Sequence, residues 1–380
     1  MDSSNAITQL EAAFAHKARP AVTEEATARP WVGCFGNGIP EVLLAAAGCR
    51  VVDVKSVPEP ESNDRHEGIN QFIEPFLDDY TQLFLNRLAN GWLNHLTAIV
   101  FSRQDAAALV AYQYALEYQR QGYTEHPFPA LLLWNAEQGS TAAVLRFNQH
   151  QADKLVSQLV SLGDRQPDDA AIATAIEHHR SRCLALEELT AAQCEQRPRL
   201  TGLDAFRWRN AGRYLEAEQF QALLRAALSG RESKPVRTGK RLGLVGSATD
   251  SEALYRVLDS VGILVADLQP FGRIWPGPVE GVTDSDSLLQ AMARDPFCPR
   301  GHSSIDMINA LADACAEARC DAVIAQMDQN DDTFGWDLPS LQQALTERGI
   351  PVINLGFRDF RPDESACTQM REHLTLELGA

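Results

Sequence analysis

The chain has 380 residues and a formal net charge of −17, with 45% hydrophobic and 22% charged residues. This composition is typical of a globular protein long enough for two domains. The acidic balance opposes the phosphate backbone of nucleic acids, and no run of about 18 apolar residues is present to span a bilayer, so we expect no nucleic acid and no membrane among its partners.

Residues 1–30 are predicted to form an N-terminal helical or flexible segment. They lack the basic start and apolar core of a secretory signal, which favours a cytoplasmic location. The eight cysteines are spaced irregularly and contain no CxxC pair. The sequence therefore indicates neither a disulfide framework nor a zinc site.

Residues 31–150 are predicted to form a first α/β region. In WVGCFGNGIPEVLLAAAGCRVVDV, a glycine-rich turn comes before an apolar helix from Pro40 to Ala47, and VVDV follows as what we interpret as the first clear strand. A helical segment is predicted from about Phe72 to Leu93. The strands TAIVFS and PALLLWN then flank the helix DAAALVAYQYALEYQRQG, an alternation that predicts a parallel sheet with right-handed crossovers.

Residues 151–230 are predicted to form a helical connecting region, because strand signals disappear after about Ser140. Its segment DDAAIATAIEHHRSRCLALEELTAAQ begins with acids, as a helix N-terminus favours. Residues 231–240 are rich in Gly, Ser, Pro and charge, and we interpret them as the interdomain linker.

Residues 241–380 are predicted to form a second α/β region. Its strands are RLGLVGS, ILVADL, DAVIAQ and PVINLG. Helical segments follow the first and third of them, and another is predicted near Ile305 to Arg319, before DAVIAQ. The loop QPFGRIWPGPVEG follows ILVADL, and loops of this length are usually functional or mobile. The whole pattern predicts an α/β fold with two doubly wound parallel-sheet domains and a helical middle segment.

Ligands of open α/β sheets bind beyond the carboxyl ends of the strands, so four strand-end loops are candidates for a site. They are residues 33–38, 102–105, 246–250 and 328–332. A polar residue after a strand is, however, more often a helix cap or turn former than a ligand. Asp105 and either Asp250 or Ser251 therefore have a capping role as an alternative.

The shorter motifs name no reaction. GCFGNG lacks the GxGxxG spacing of a dinucleotide site, GSATDS lacks the GK[ST] of a phosphate loop, and GHSS is not the GxSxG of a hydrolase. The adjacent His178 and His179 point in different directions on a helix, and we interpret both as solvated.

Three collinear segments resemble the subunits of the 2-hydroxyacyl-CoA dehydratase and benzoyl-CoA reductase family. VGCFGNGIPEVLLAAAGCRVVDV resembles the family's opening segment, and GKRLGLVGSATDSEALYRVLDSVGILVAD resembles the start of its C-terminal domain. CDAVIAQMDQNDDTFGWDLPSLQQALTERGIPVINLGFRDF and the following QMREHL resemble its C-terminal βαβ unit and last helix. The similarity runs in order across roughly residues 31 to 376.

This resemblance implies two Rossmann-like or flavodoxin-like domains that face each other across a cleft. It also implies a two-subunit assembly with a [4Fe-4S] cluster on cysteines, an ATP-hydrolysing activator that donates an electron, and removal of water from a 2-hydroxyacyl-CoA. Iron–sulfur clusters need thiolate ligands.

The three positions that correspond to the family's cluster cysteines carry other residues here. They are Glu74, Gln104, which precedes Asp105, and Asp331. Among the cysteines that are present, only Cys34 and Cys298 lie near loops that face the predicted cleft. We therefore expect no [4Fe-4S] cluster on this chain.

Three hypotheses follow. The first is a subunit without a cluster that pairs with a cluster-bearing homologue, or associates with itself, and helps to form an acyl-CoA site. The second is an enzyme in which Glu74, Asp105 and Asp331 bind a divalent metal or perform acid–base catalysis. The third is a binding or scaffold protein with a relict cleft.

An acyl-CoA ligand would bind at the strand-end loops of the second region. We expect Ser247, Asp250 and Arg273 to contact it, with Arg241 or Arg273 beside its phosphates.

Overall fold

The computed structural model describes residues 2–17, 29–56, 65–124, 126–137, 139–163, 165–272, 280–295, 297, 304–329, 331, 333–359 and 361–379. Among the predicted site residues, Arg273 lies outside the described residues, as does Cys298. None of the helices in the described part of the chain combines the length and hydrophobicity that crossing a membrane requires.

The first α/β region contains a four-stranded parallel sheet, preceded in the chain by helix α1 (Ser3–His16). Its strands are β1 (Trp31–Phe35), β2 (Arg50–Asp53), β3 (Ala98–Ser102) and β4 (Ala130–Trp134). Their spatial order is β2-β1-β3-β4, and all three pairings are parallel. The order reverses direction at β1, and ligands of open α/β sheets usually bind near such a reversal, at the carboxyl edge of the sheet.

Helices from the same part of the chain accompany this sheet. They are α2 (Glu41–Ala46), α3 (Glu67–Asn70), α4 (Asp79–Ala89), α5 (Ala106–Arg120) and α6 (Ala142–Ser161). Helices α4 and α5 bury apolar side chains on one face of the sheet, while α2 and α6 cover the other. Two separate core clusters result, as expected for a sheet with helices on both faces.

The middle of the chain is helical, as the sequence predicts. It contains α7 (Asp169–Cys194), α8 (Gly202–Ala211) and α9 (Ala217–Ser229). These helices form a core cluster of their own with α1, in which Trp208 and Phe220 are fully buried. The helical connecting region is therefore a packed layer that holds the N-terminal helix.

The second α/β region repeats the arrangement of the first. Its strands are β5 (Arg241–Gly246), β6 (Ile263–Asp267), β7 (Ala322–Asp328) and β8 (Val352–Arg358). Their order is β6-β5-β7-β8 with parallel pairing throughout. The prediction of an α/β fold with two doubly wound parallel sheets is confirmed.

The helices of the second region do not all pack on its own sheet. They are α10 (Glu252–Val261), α11 (Ser285–Met292), α12 (Ser304–Glu317), α13 (Thr333–Glu347) and α14 (Glu364–Leu378). Helix α11 is the exception, because Leu288, Leu289 and Met292 are buried in the core cluster of the first region with Val32 of β1 and Val42 of α2. The first region is thus completed by a helix from the second.

Candidate functional site

The loops after β2 and β5 meet in a buried cluster of polar side chains. Lys17, just after α1, donates from Nζ to Asp250 Oδ2 at 2.8 Å and to Ser56 Oγ at 2.7 Å. Ser56 Oγ in turn donates to the same carboxylate oxygen at 2.9 Å. The three side chains join the N-terminal helix, the first region and the second region, and we call them the interdomain triad.

The electrostatics of the triad favour its charged form. Burial disfavours the Asp250 carboxylate, but Lys17 and Arg361 outweigh this effect and hold its pKa below the ordinary value. The backbone of Lys17 has a φ of 51°, a value that residues other than glycine rarely adopt. Such a conformation persists where the surrounding contacts fix it, and the two hydrogen bonds of Lys17 supply that constraint.

Two further ion pairs lie at the carboxyl ends of β2 and β3. Asp53 Oδ2 contacts Arg213 NH1 at 2.7 Å, and Asp53 Oδ1 accepts from the backbone N–H groups of Lys55 and Ser56. Lys55 Nζ contacts Asp105 Oδ2 at 2.7 Å. Asp105 also accepts from the Ala108 backbone N–H at the start of α5, so its predicted capping role is confirmed.

The candidate residues Glu74, Asp105 and Asp331 make separate contacts. Glu74 accepts a hydrogen bond from the Tyr114 hydroxyl. Tyr114 lies nine positions after Asp105 in α5, a rise of about 13 Å along the helix. The Asp331 backbone N–H donates to Asp328 O at 3.0 Å in the turn after β7. Among the described residues, no group of three His, Cys, Asp or Glu side chains is placed to hold a metal ion.

Ser247 and Asp250, which the sequence analysis assigns to an acyl-CoA ligand, are both buried. Ser247 Oγ accepts from the backbone N–H of Asp328 at 2.9 Å, which ties the end of β5 to the end of β7. Asp250 belongs to the interdomain triad. Both side chains therefore have internal partners, and neither reaches a pocket among those described below.

Asp267, at the end of β6, is a buried carboxyl that sequence reasoning missed. The Tyr255 hydroxyl donates to its Oδ2 at 2.6 Å, and Gln269 Nε2 donates to that hydroxyl at 2.9 Å. Burial raises the pKa of Asp267 to about 6, against the opposing effect of the Tyr255 hydrogen bond. Folding therefore favours the protonated acid.

A pocket opens at the carboxyl ends of β1 and β2, where α2, α7 and α11 meet. It encloses about 840 Å³, part of it open to solvent. Its apolar lining includes Ile39, Val42, Val51, Val52, Leu186, Leu288 and Met292. Its polar lining comprises Asn37, Glu41, Asp53, His179, Arg182 and Arg213. An apolar concavity with a few polar groups is the usual form of a small-molecule site, and we call it the β1 pocket.

Two charged side chains of the β1 pocket are only loosely paired. Arg182 NH1 lies 3.5 Å from Glu41 Oε2, and within the described part of the chain the buried Nε of Arg182 has no hydrogen-bond partner. Surrounding protein atoms raise the pKa of Glu41 by desolvation, although Arg182 and Arg213 partly offset this and 43% of the side-chain surface faces open space. The pair thus has spare donors beside a carboxyl whose pKa is raised.

Arg213 is different, because each of its three side-chain nitrogens already donates a hydrogen bond. It contacts Asp53, Asn210 Oδ1 and the carbonyl of Pro270. It therefore fixes one wall of the β1 pocket, while Arg182 remains the cation with free hydrogen-bonding capacity.

Two sequence interpretations about this pocket are wrong. Trp31–Phe35 form β1, so the GNG turn at residues 36–38 follows a strand rather than preceding the first one. His179 is half-buried and lines the β1 pocket, although it was interpreted as solvated. The spacing of His179, Arg182, Cys183 and Leu186 at i, i+3, i+4 and i+7 marks one face of α7 and is the signal that would have found it.

A second, smaller pocket of about 320 Å³ lies beside the first, toward β4. It is lined by Gln104, Trp134, Glu137, Asn148 and Leu289, and it shares Gly38 and Met292 with the β1 pocket. Of the residues predicted at the cluster positions, Gln104 is thus the one that lines a pocket. We call this space the β4 pocket.

The chain matches a protein family along most of its length. A family model described as 2-hydroxyglutaryl-CoA dehydratase, D-component matches residues 37–372. No curated protein matches the chain. The matched range begins just after β1 and includes β2 to β8, helices α7 to α9 and the lining residues of the two pockets.

We predict that Lys17→Met destabilises the chain by about 3–5 kcal/mol, because the buried Asp250 carboxylate loses the cation at 2.8 Å and keeps Arg361 at 3.6 Å. Urea denaturation at neutral pH measures the change. Arg225→Met is the matched control, since Arg225 and Glu188 are 52% and 42% exposed and such pairs contribute at most about 1 kcal/mol. Equal effects of the two substitutions would contradict the assigned role of the triad.

We predict that Asp267→Asn changes the pH dependence of stability. The folded pKa of about 6 exceeds the unfolded value of about 3.9, so wild-type stability falls as pH rises through that interval. The variant has no carboxyl at this position and does not show this loss. Its free energy of unfolding should exceed that of wild type by up to about 3 kcal/mol near neutral pH and should not exceed it below about pH 4.

Urea denaturation at several pH values measures this difference. Asp284→Asn is the control with the opposite sign, because hydrogen bonds from Ser287 lower the pKa of Asp284 and its contribution is lost as pH falls. A stability difference between Asp267→Asn and wild type that does not vary with pH would contradict the raised pKa of Asp267.

Proposed function

The chain belongs to the 2-hydroxyglutaryl-CoA dehydratase D-component family, and on that premise we propose that it is a dehydratase-type component that binds an acyl-CoA thioester in the β1 pocket. We further propose that it carries no iron–sulfur cluster and acts beside a homologous subunit that does. The observation that supports the proposal is an apolar pocket within the residues that match the family, in which Arg182 and Glu41 are only loosely paired.

The β1 pocket fits the chemistry of a thioester. Its aliphatic side chains suit an acyl chain, and the spare N–H donors of Arg182 suit the thioester carbonyl oxygen. Donors aimed at that oxygen stabilise the negative charge that develops there when a proton leaves the neighbouring carbon. Arg182 is therefore the proposed carbonyl-binding residue.

Glu41 is the proposed proton-transfer residue. Desolvation raises its pKa, which brings it toward the range where a carboxyl exchanges protons near neutral pH. Its Oε2 lies 3.5 Å from Arg182 NH1, so a carbonyl held by Arg182 would place the adjacent carbon beside Glu41. Glu41 would take up the proton of that carbon while the carbonyl oxygen takes the negative charge, and would return it in the reverse step. This exchange needs no electron donor, and we propose that departure of the 2-hydroxyl group takes place with the cluster-bearing subunit.

The residues at the expected cluster positions do not fit a [4Fe-4S] group. Iron–sulfur clusters are held by thiolates, whereas Glu74, Gln104 and Asp331 offer carboxylates and an amide. The cysteines that the structure describes lie elsewhere, and most are buried: Cys34, Cys49, Cys183, Cys194, Cys315, Cys320 and Cys367. We therefore route no step of the reaction through a cluster on this chain.

A binding or scaffold role without catalysis is the second candidate. The observation that favours it is the interdomain triad, which fills the space between the loops after β2 and β5 with side chains that are at most 8% exposed. In this case the β1 pocket would bind its ligand without converting it.

We predict that Arg182→Gln weakens acyl-CoA binding about 10- to 100-fold, because one charge-assisted hydrogen bond contributes about 1.5–3 kcal/mol. Glu41→Gln should bind within a few-fold of wild type and lose proton exchange at the carbon next to the thioester. Calorimetric titration with butyryl-CoA and hydrogen–deuterium exchange of the bound ligand in D₂O measure the two effects.

Arg180→Gln is the matched control for this experiment, since Arg180 pairs with Glu177 on the same helix and does not line the β1 pocket. Absence of acyl-CoA binding to the wild-type chain would overturn the proposed function. Binding without exchange in wild type would favour the scaffold role instead.

We predict that anaerobic reconstitution with ferrous iron and sulfide leaves the purified chain without the brown absorbance of an iron–sulfur protein. A homologous subunit that retains the three cysteines should acquire the absorbance under the same conditions, and it should co-elute with this chain in gel filtration. Stoichiometric cluster formation on this chain alone would refute the partner-subunit proposal.

A further inference from the structure

Helix α11 separates two cavities that are otherwise adjacent. It belongs to the second α/β region in sequence, yet Leu288, Leu289 and Met292 are 2%, 5% and 8% exposed within the core cluster of the first. Leu288 lines the β1 pocket, and Leu289 lines the β4 pocket. One turn of helix thus presents side chains to both spaces.

Met292 lies at the boundary between the pockets. Together with Gly38 it lines both the cavity of about 840 Å³ and the cavity of about 320 Å³. Gly38 has a φ of 76° and no side chain, so it contributes only backbone to the boundary. The Met292 side chain is therefore the part of the boundary that a substitution can remove.

A methionine is well suited to such a boundary. Its unbranched, flexible thioether fills irregular gaps, and here it packs in an apolar core cluster with Leu288 and Leu289. Beyond it, the β4 pocket continues along the carboxyl ends of β3 and β4, past Gln104 and Trp134. A ligand that extends through the β1 pocket would meet Met292 before it could enter that space.

We propose that Met292 sets the greatest length of unbranched acyl chain that the β1 pocket accepts. The inference rests on the proposed function, because it assumes that an acyl-CoA thioester is the ligand of this pocket. It adds the substrate feature that is selected, chain length, and the residue that selects it.

The expected effect follows from the burial of methylene groups. Each buried methylene strengthens binding about fourfold until the chain reaches the boundary, where further carbons must displace a packed side chain or turn back into solvent. Met292→Ala joins the two pockets, so the limiting length should increase. A chain two methylenes beyond the wild-type limit should bind about 15-fold more tightly to the variant than to wild type.

The test is calorimetric titration of the full chain with saturated straight-chain acyl-CoA thioesters, from acetyl-CoA to dodecanoyl-CoA, and with CoA itself to separate the contribution of the headgroup. Wild type, Met292→Ala and the control Leu289→Ala are compared. Leu289→Ala enlarges the β4 pocket without opening the boundary, so it should keep the wild-type limit. Thermal unfolding establishes that each variant is folded.

A longer limit in Met292→Ala together with an unchanged limit in Leu289→Ala supports the inference. If wild type and Met292→Ala bind thioesters up to the same chain length, the inference about Met292 is overturned and the proposed function stands. The same conclusion follows if Met292→Ala and Leu289→Ala increase the limiting chain length equally. Failure of the wild type to bind any thioester overturns both proposals. If Met292→Ala does not fold, Met292→Val replaces it and should extend the limit by about one methylene, and an unchanged limit there is equally decisive.

Discussion

The buried contact of Lys17 with Asp250 and Ser56 is the constraint on which the arrangement of the two sheets depends. The two regions share apolar contacts through α11 and Tyr80, whereas the loops that follow β2 and β5 approach each other through polar side chains. A charge buried in this way stabilises only if its partners are held in place, so the triad specifies one relative position of the two regions. The packing of α1 against α8 and α9 brings Lys17 to that position.

The β1 pocket is a consequence of this fixed arrangement, because its walls come from three parts of the chain. The GNG turn and α2 come from the first region, His179 and Arg182 from the helical layer, and α11 from the second region. A rotation of one region against the other would move α11 and change the boundary at Met292. The interdomain triad therefore influences the shape of the β1 pocket, although none of its three residues lines that pocket.

The sequence predicted what is local and missed what depends on the assembly of distant segments. The strand DAVIAQ and the helix from Asp168 were found because hydrophobic runs and capping acids act within a few residues. β1 was missed because WVGCF is short and contains a glycine. Asp250 and Ser247 were assigned to a ligand because the sequence of a strand-end loop is the same whether its polar side chains bind a ligand or another part of the protein. Only tertiary packing distinguishes the two cases.

Two contacts at or beside the positions that correspond to the family's cluster cysteines support the proposal of a chain without a cluster. Asp105 caps α5 and neutralises the half-buried Lys55, and Glu74 accepts from Tyr114. The ion pair of Lys55 with Asp105 already occupies the carboxylate of the residue that follows Gln104. A cysteine introduced at Gln104 would leave that pair and the Glu74 contact in place, and a single thiolate does not hold a [4Fe-4S] cluster.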